Sequence, residues 1–557
     1  MSNSTPNPFA SLKQNFKGDI DYAEKTLDTY SHDASLFEVR PQVVMFPKDS
    51  EDIQSLVRWI ETERVEGRVY SITPRAAGTD MSGGAIGRSI ILDTTRYMNK
   101  IQEVTSEYAV VQPGCFYRDL DKETQKINRF MPAYTASREL NAVGGMVGNN
   151  SGGEKAIKYG KTEEYIKSLK VVLSDGNEYT IQPLTKSQIE EKIKNTAGTS
   201  SASNTFESEL YKNIFNLINE HYEEIISAKP NVSKNSAGYY LWNVYNKETG
   251  EFDLCRLIVG SQGTLAIVTE ITFRLVPTEP YSNVLAVFLP SLHEIGKLVA
   301  EIVPFKPDSL ETYDDKSMIL AIRFFFDFFK QLGFWGAIKL GLQFIPESFM
   351  VLFGGVPKMI LMVEFTGHSE EKIKNKLTQV QEKIKHFGFK SRIARTSAEA
   401  EKYWKIRHES FNLLRKHVKG KRTAPFIDDI IVNPEYLPDF LPRVKALIDE
   451  YKLDYAVQGH LGNGNFHIIP LMDLKSPYSA DVILDLSKKV YSLVHEFKGS
   501  ITAEHNDGII RTPYLRQQFG DSIVELFQKT KDIFDPYNIF NPGKKVGGTF
   551  EDIRKAI

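Results

Sequence analysis

The chain has 557 residues and a formal net charge of -2 at pH 7, with 41% hydrophobic and 25% charged residues. These values are ordinary for a globular protein with a sizeable core, and the near-neutral charge argues against a nucleic-acid-binding surface. Its two cysteines, Cys115 and Cys255, are too few for a disulfide framework, a CxxC zinc knuckle or a cysteine-ligated iron–sulfur cluster. The sequence shows no signal-peptide run and no stretch of about 18 apolar residues, so we expect a cytoplasmic location.

Residues 1–36 are polar and form a predicted N-terminal extension. Between residues 37 and 280, short β-branched runs alternate with Gly-rich turns, which predicts a mixed α+β domain. The predicted helix spans residues 52–64, and the predicted strands span residues 38–46, 69–72, 90–93, 109–112, 169–173, 257–259 and 266–275.

A second region, residues 281–514, contains two predicted strand–helix pairs, at 284–302 and 359–387. Their repetition indicates a layered sheet with helices on one face. A helix at 517–533 and the turn-rich DPYNIFNPGKK then occupy residues 515–557.

Residues 318–355 form an unusual segment that is dense in Phe and Leu with a few charges. Two interpretations stay open: an amphipathic element lying on the inner face of a membrane, or a buried helical hairpin or subunit contact, which would make a homodimer.

A Gly-rich segment, RAAGTDMSGGAIG, follows the predicted strand at 69–72. Its small residues would let backbone N–H groups approach an anion closely, with hydroxyl donors from Thr79 and Ser82, which suits a diphosphate. A plain tight turn is the alternative. The candidate binding residues are Arg75, Ala76, Ala77, Gly78, Thr79, Asp80, Ser82 and Gly83.

A second Gly-rich segment, GGMVGNNSGG, would let the chain wrap a planar ring or a ribityl chain. A third Gly-rich segment, VGSQGTLAIVT, has glycines directly before an apolar strand. This pattern fits a binding loop and fits a plain turn that enters a strand equally well. Neither GxGxxG after the first strand nor GxxxxGK[ST] occurs, which argues against a Rossmann or P-loop site. The candidate residues of the second segment are Gly144, Gly145, Gly148, Asn149, Asn150, Ser151, Gly152 and Gly153.

Two histidines, His460 and His467, flank a Gly-Asn-Gly-Asn turn in GHLGNGNFH. A tight hairpin would bring the two imidazoles together, and Glu504 in TAEHNDG is the natural third ligand of a metal with open positions. His505 lies beside it and is a candidate general base. Taken singly, each histidine is also compatible with a structural, hydrogen-bonded role.

These motifs together, in this order and closed by DPYNIFNPGKK, resemble the FAD-linked oxidases of the vanillyl-alcohol-oxidase fold. Within them the chain is similar to the branch of D-lactate dehydrogenase, glycolate oxidase and D-2-hydroxyglutarate dehydrogenase. The resemblance runs from about Pro41 to Lys545. It implies an α+β protein with a PCMH-type FAD-binding domain at 37–280, an inserted ferredoxin-like substrate cap at 281–514, and a C-terminal segment, 515–557, that returns to the FAD domain.

The resemblance also implies roles for individual residues. The first two Gly-rich segments would hold FAD together with Gly263, Thr264, Ile267 and Asn541. A divalent metal, zinc or manganese, would be bound by His460, His467 and Glu504. His505 would be the base, and the guanidinium fork of Arg407 would clamp the substrate carboxylate.

Several positions depart from the family pattern. Asn463 and Gln262 replace an acidic residue each, while Ile469 and Ile427 stand where the hydroxyglutarate enzymes place Asn and Lys. The two isoleucines favour a monocarboxylic substrate. No histidine occupies the first Gly-rich segment, which argues against a covalent histidyl-flavin there.

The expected activity is therefore metal-assisted oxidation of a D-2-hydroxy acid, such as D-lactate or glycolate, with hydride transfer to flavin N5. The electrons would pass to a quinone, a cytochrome, an electron-transfer flavoprotein or oxygen, and segment 318–355 favours a membrane quinone. Two alternatives stay open: an alditol or lactone oxidase of the same fold, which would not need the two histidines and Glu504, and a non-catalytic flavin subunit of a larger complex.

Overall fold

The computed structural model describes residues 9–194, 202–315, 357–396, 399–407 and 420–557. The segment 318–355, with its expected membrane or subunit contact, lies outside these residues. In the part of the chain that is described, none of the helices combines the length and the apolar character needed to cross a bilayer.

The first sheet has four strands, β1 (Asp19–Asp21), β2 (Val43–Phe46), β3 (Ile72–Arg75) and β4 (Ile90–Asp93). Their order is β1-β2-β4-β3, with β2 and β3 parallel to β4 and β1 antiparallel to β2. Every residue of β2 and β4 is buried, as expected for apolar strands covered on both faces. β1 belongs to the predicted N-terminal extension, so part of that extension completes this sheet.

The second sheet is antiparallel and has the order β5-β6-β10-β8-β9. Its strands, and the small pair β7 and β11, are β5 (Ile101–Val104), β6 (Tyr108–Val111), β7 (Arg129–Phe130), β8 (Ile166–Val172), β9 (Glu178–Ile181), β10 (Ile267–Arg274) and β11 (Val276–Pro277). The α-helices around both sheets are Glu24–Tyr30, Ser50–Val65, Tyr117–Gln125, Val143–Asn149, Ala156–Tyr159, Lys186–Lys194, Ala202–Glu220, Tyr222–Ser227 and Cys255–Ile258. The predicted strand at 257–259 is wrong, because a short buried apolar run has no periodicity that distinguishes a strand from a helix.

A third, larger sheet forms the cap. Its strands are β12 (Tyr281–Leu289), β13 (Ser309–Asp314), β14 (Met359–Gly367), β15 (Lys390–Ile393), β16 (Arg422–Thr423), β17 (Ile430–Ile431), β18 (Asp454–His460) and β19 (Asn465–Met472). The order is β15-β12-β14-β13-β18-β19-β16, with β17 also paired to β19. Helix Ile295–Ile302 follows β12 and helix Glu370–Lys383 follows β14, so these two units repeat the strand–helix–strand pattern of a ferredoxin-like domain.

The two faces of the cap sheet are covered differently. Helices Ile295–Ile302, Glu370–Lys383, Leu437–Glu450 and Ser479–Glu496 contribute to the core on one face. Alternate residues of the same strands, such as Val284 and Tyr313, pack on the other face against Tyr403 and Ile406. Residues 399–407 therefore cover the face that carries the polar side chains described below.

The C-terminal segment returns to the region that is predicted to bind FAD, as expected. Helix Leu515–Phe534 packs on the core of the second sheet, and Phe540 forms a parallel bridge with Ile72 at the edge of the first sheet. The α+β class of the fold and this return are confirmed.

Candidate functional site

A cavity of about 620 Å³ lies where the Gly-rich loops meet the polar face of the cap sheet. Its size is in the range of small-molecule and cofactor sites. From the cap, the lining side chains are Arg407, Asp428, Gln458, His460, His467, Ile469, Glu504 and His505.

The cavity brings together most of the predicted cofactor-binding residues. Those that line it are Arg75, Ala76, Ala77, Gly78, Thr79, Asp80, Gly144, Gly145, Gly148, Asn149, Ser151, Gly152, Gly263 and Ile267. The remaining predicted residues do not line it; they are Ser82, Gly83, Asn150, Gly153, Thr264 and Asn541. A stretch that sequence reasoning missed, Thr135–Asn141, supplies a further wall that includes Arg138.

Asp80 organises the first loop. Its carboxylate accepts hydrogen bonds from the backbone N–H groups of Ser82 (3.0 Å) and Gly84 (2.6 Å), and from the Asn149 side-chain amide at 2.7 Å. Gly78 adopts a φ of 65°, and a Cβ there would overlap the Arg75 guanidinium. The first loop is thus held in one shape and tied to the second.

The second Gly-rich segment forms helix Val143–Asn149 and the turn that follows it, and its glycines serve two purposes. A Cβ at Gly144 would lie 2.7 Å from Pro113 Cβ, and one at Gly153 would overlap the Tyr134 carbonyl, so these two allow close chain packing. At Gly145 and Gly148, which line the cavity, the nearest atoms to an added Cβ are 3.8 and 3.9 Å away. Side chains there would fill the cavity, so the second pair leaves a cradle that fits a flat group such as the flavin ring.

Gln262 joins the loops around this cradle. Its amide nitrogen donates to Ser82 Oγ (3.1 Å) and Asn149 Oδ1 (3.2 Å), while its oxygen accepts from the Gly508 N–H at 2.8 Å. A glutamate at this position would lack the N–H donors. The departure from the family pattern at Gln262 therefore has a structural explanation.

Asn541 supports the loops from behind. Its amide nitrogen donates to the carbonyls of Gly84 (2.9 Å) and Gln262 (2.7 Å), and its oxygen accepts from Thr73 Oγ1 at 3.0 Å. Asn541 is fully buried and does not line the cavity. It contacts the side of the loops that faces away from the cavity.

The cap contributes its polar residues through the period of its strands. Alternate residues of a strand share one face, so His460 and Gln458 on β18 and His467 and Ile469 on β19 point together into the cavity. Glu311 on β13 is the register partner of His460 and joins the same face. The turn between β18 and β19 needs a glycine at 464, because its φ is 75° and a Cβ would overlap the Val432 carbonyl.

Three imidazoles have their Nδ1 atoms on buried carboxylates. His460 Nδ1 lies 2.6 Å from Glu311 Oε1, and both His467 Nδ1 (3.0 Å) and His505 Nδ1 (2.6 Å) contact Asp428. This arrangement makes Nε2 the nitrogen that each ring can offer to a ligand. Imidazoles that bind metals are commonly oriented in this way by a second hydrogen bond.

Glu504 lies between two of these rings. Its Oε1 is 2.9 Å from His460 Nε2 and 3.5 Å from His467 Nε2, while its Oε2 accepts from Lys234 Nζ at 2.8 Å. The predicted metal-binding residues His460, His467 and Glu504 are thus brought together around one carboxylate oxygen. Two imidazole nitrogens and one carboxylate oxygen are a donor set that suits zinc or manganese.

The electrostatics of this cluster favour positive charge. Burial lowers the pKa of His467, but its hydrogen bonds to Asp428 and Glu504 outweigh burial and raise that pKa to about 10. Burial likewise opposes the ionised form of Glu504, yet the charges of Lys234 and His460 hold the pKa of its carboxyl well below the ordinary value. Glu504 therefore stays ionised, as a metal ligand must.

Asp429 has a different part in the cluster. The ligating atoms of Asp429, His467, Glu504 and His505 lie within 4.8 Å of one another. However, Asp429 Oδ2 already accepts four hydrogen bonds, from Thr502 Oγ1 (2.6 Å) and from the N–H groups of residues 503 (2.9 Å), 504 (2.8 Å) and 505 (2.7 Å). An oxygen surrounded by four donors is poorly placed to bind a cation, so Asp429 anchors the turn that carries Glu504 and His505.

Arg407 is a buried lining residue of the cavity. Its guanidinium donates to Gln458 Oε1 at 2.7 Å and to Glu311 Oε2 at 3.2 Å. Glu311 therefore contacts both the predicted carboxylate clamp and the predicted metal ligand His460. A carboxylate within a strand of core residues was the only sequence signal for Glu311.

The two isoleucines behind the monocarboxylate prediction differ in position. Ile469 lines the cavity, so its apolar side chain faces a bound molecule. Ile427 is fully buried in the hydrophobic core of the cap and does not line the cavity, so its side chain does not face a bound molecule. Asn463, the other departure, donates to Ser233 Oγ at 2.9 Å.

Comparison with known families defines the class of protein. The family model "FAD binding domain" matches residues 41–182, and "FAD linked oxidases, C-terminal domain" matches residues 278–545. The chain belongs to the FAD-linked oxidases with a PCMH-type FAD-binding domain.

Curated relatives are similar along nearly the whole chain. D-2-hydroxyglutarate dehydrogenase of Escherichia coli (strain K12) is 27% identical over 96% of this chain, and the chain spans about half (51%) of that relative's length. D-lactate dehydrogenase of Anaerostipes hadrus is 26% identical, over 93% of this chain and 92% of that protein. Glycolate oxidase subunit GlcD of Bacillus subtilis (strain 168) is 24% identical, over 95% and 93%.

Solved structures agree on the fold. 4-Ethylphenol oxidase from Gulosibacter chungangensis has a TM-score of 0.68 at 16% identity, covering 98% of this chain and 99% of that chain. p-Cresol methylhydroxylase has a TM-score of 0.67 at 15% identity, covering 98% and 96%.

Proposed function

We propose that the protein oxidises a D-2-hydroxy acid to the 2-oxo acid, using FAD and a divalent cation. The observation that carries this proposal is that one cavity is lined by both the Gly-rich loops and the His460–His467–Glu504 cluster. The names of the relatives, which cover D-2-hydroxyglutarate, D-lactate and glycolate, support the substrate class.

The loops would hold FAD, with Gly145 and Gly148 giving the ring its space, and His460, His467 and Glu504 would hold the cation. When bound, FAD would accept the hydride from C2 of the substrate, and a cation such as zinc or manganese would lower the pKa of the 2-hydroxyl. Lys234 keeps Glu504 ionised and occupies its Oε2, which leaves Oε1 for the cation.

Two further side chains would act on the substrate itself. Arg407 would bind the carboxylate with a guanidinium that Glu311 and Gln458 hold in place. His505 would take the hydroxyl proton at Nε2, because its Nδ1 is held by Asp428. Both residues line the same cavity.

For the substrate's other end, the apolar Ile469 favours a small monocarboxylate such as D-lactate or glycolate. A dicarboxylate such as D-2-hydroxyglutarate is the second candidate, because Arg138 also lines the cavity and could bind a second carboxylate. Comparing kcat/KM for the three acids, in the wild-type protein and in Arg138→Met, separates the candidates. Only a dicarboxylate substrate should lose affinity in this variant.

We propose that the electrons pass from the flavin to an acceptor outside the described residues, since Cys115 and Cys255 are both buried and neither could hold an iron–sulfur cluster alone. A quinone, a cytochrome and an electron-transfer flavoprotein are the classes to assay. If the acceptor is a membrane quinone, the protein must contact the cytoplasmic face of the membrane. A variant that lacks residues 318–355 and still sediments with vesicles would contradict membrane contact through that segment.

The test of the proposed function is anaerobic reduction of the bound flavin by a panel of D- and L-2-hydroxy acids, with an alditol and an aldonolactone as controls. We expect bleaching by one or more D-2-hydroxy acids and by neither control. Bleaching by the alditol or the lactone alone would instead assign a different oxidase of this fold. A flavin that no compound of the panel reduces would indicate a non-catalytic flavin subunit.

A further inference from the structure

Asp428 stands between the predicted metal ligand His467 and the predicted base His505. Its Oδ1 lies 3.0 Å from His467 Nδ1, and its Oδ2 lies 2.6 Å from His505 Nδ1. The two imidazole rings are stacked, with centroids 4.8 Å apart and an angle of 20° between their planes. One carboxylate therefore contacts the same nitrogen of two neighbouring rings.

The backbone around Asp428 is built to hold it there. Asp429 has a φ of 64°, outside the extended conformation that would send successive side chains to opposite faces. Both aspartates consequently face the turn at 502–505. Arg511, which is fully buried, donates to the Asp428 carbonyl at 2.6 Å and fixes it from behind.

We propose that Asp428 is a positioning residue that sets the orientation and the protonated nitrogen of both His467 and His505. This inference rests on the proposed function for the roles of the two histidines. An ionised carboxylate can only accept hydrogen bonds, so each Nδ1 must carry its hydrogen. Each Nε2 is then available, in His467 to bind the cation and in His505 to take the substrate proton.

The consequence is a link between metal binding and proton transfer through one side chain. Asp428 is fully buried, and each of its two carboxylate oxygens lies against the Nδ1 of one ring. One carboxylate is therefore the acceptor for both rings. Among the residues that the structure describes, Asp428 is the carboxylate that contacts both rings through Nδ1.

Asp428→Asn tests the inference, because an amide offers one acceptor and one donor in nearly the same shape. The nitrogen of the amide must face one imidazole, which then presents its Nδ1 lone pair and moves its hydrogen to Nε2. In the FAD-bound enzyme labelled with ¹⁵N-histidine, we expect at least one of the two Nδ1–H signals to disappear. We also expect a loss of zinc affinity of about 10–100-fold if His467 changes, or of turnover of about 10²–10⁴-fold if His505 changes.

Asp429→Asn is the matched control, since it removes the same charge one residue along the chain without touching either ring nitrogen. We expect both Nδ1–H signals to persist in it. The inference is overturned if Asp428→Asn keeps both signals, if it loses a signal while zinc affinity and turnover stay unchanged, or if Asp429→Asn loses the same signals.

The wild-type spectrum is a second test that needs no folded variant. With zinc bound, both rings should carry hydrogen at Nδ1, and a bare Nδ1 on either ring overturns the inference. Failure of the proposed function is distinguishable, because it would appear as a wild-type protein that binds no zinc and is reduced by no 2-hydroxy acid. The Nδ1–H comparison between the two variants would still decide what Asp428 does to the rings.

Discussion

Replacing Asp429 by alanine should loosen the turn that carries Glu504 and His505. The change removes the acceptor of five hydrogen bonds in a fully buried position: Oδ2 accepts four, three of them from consecutive backbone N–H groups, and Oδ1 accepts one from Asn465. Three donors are left without a partner, because the N–H of residue 503 and the Asn465 amide each keep a backbone carbonyl. Each buried donor left without a partner costs about 1–3 kcal/mol, and entry of water would offset part of the total. We expect a local destabilisation of about 3–5 kcal/mol.

Backbone hydrogen exchange at residues 503–505 measures this effect locally, which matters because unfolding of a chain with several cores is not two-state. Since each 1.4 kcal/mol is a factor of ten, exchange there should accelerate by roughly 10²–10⁴-fold in the metal-free protein. Asp429→Asn, which keeps one acceptor and tolerates a positive φ, should show a smaller change. Acceleration below tenfold, together with a complete loss of metal binding, would refute the anchoring role and make Asp429 a ligand.

Three further predictions concern the cavity. His505→Ala should lower kcat by about 10²–10⁴-fold with FAD content unchanged, and normal turnover would contradict its role as base. Glu311→Gln leaves one acceptor oxygen where His460 Nδ1 and Arg407 now have one each, so at least one of the two contacts is lost. Zinc affinity should fall by about 10–100-fold if His460 loses its acceptor, and KM should rise if Arg407 does. Calorimetry and steady-state kinetics measure the two effects, and a change in neither would show that Glu311 orients neither residue. Gly145→Val should fold with an unchanged far-UV circular dichroism spectrum but be purified without flavin absorbance, whereas normal flavin content would show that the cradle lies elsewhere.

Local sequence signals predicted the loops and the hairpin well. Gly144 and Gly153 are needed for close packing and Gly464 for a positive φ, and these requirements leave a visible pattern in the sequence. The alternation of β18 and β19 likewise follows from the period of a strand. By contrast, 257–259 was misassigned as a strand, because a short buried apolar run has the same sequence pattern in a strand and in a helix.

The residues that orient the site could not be found in this way. Glu311 reaches His460 only through strand pairing across 149 positions, and Lys234 reaches Glu504 across 270. Asp428 and Asp429 are adjacent polar residues between two apolar runs. This pattern indicates an unusual position in the chain, but it does not indicate which side chains the two aspartates contact. Ile427 is the opposite case, because it occupies a motif position and yet is buried away from the cavity. A motif position alone does not tell whether a side chain faces the cavity.

The central claim, that one cavity joins a flavin to a cation held by His460, His467 and Glu504, is tested most directly by the metal dependence of flavin reduction. In stopped flow without oxygen, the zinc- or manganese-loaded protein should be bleached rapidly by its D-2-hydroxy acid. Chelator-treated protein and Glu504→Gln should retain FAD but lose this reaction, and only the former should recover it when metal is returned. Equally fast reduction in the metal-free protein would contradict the account.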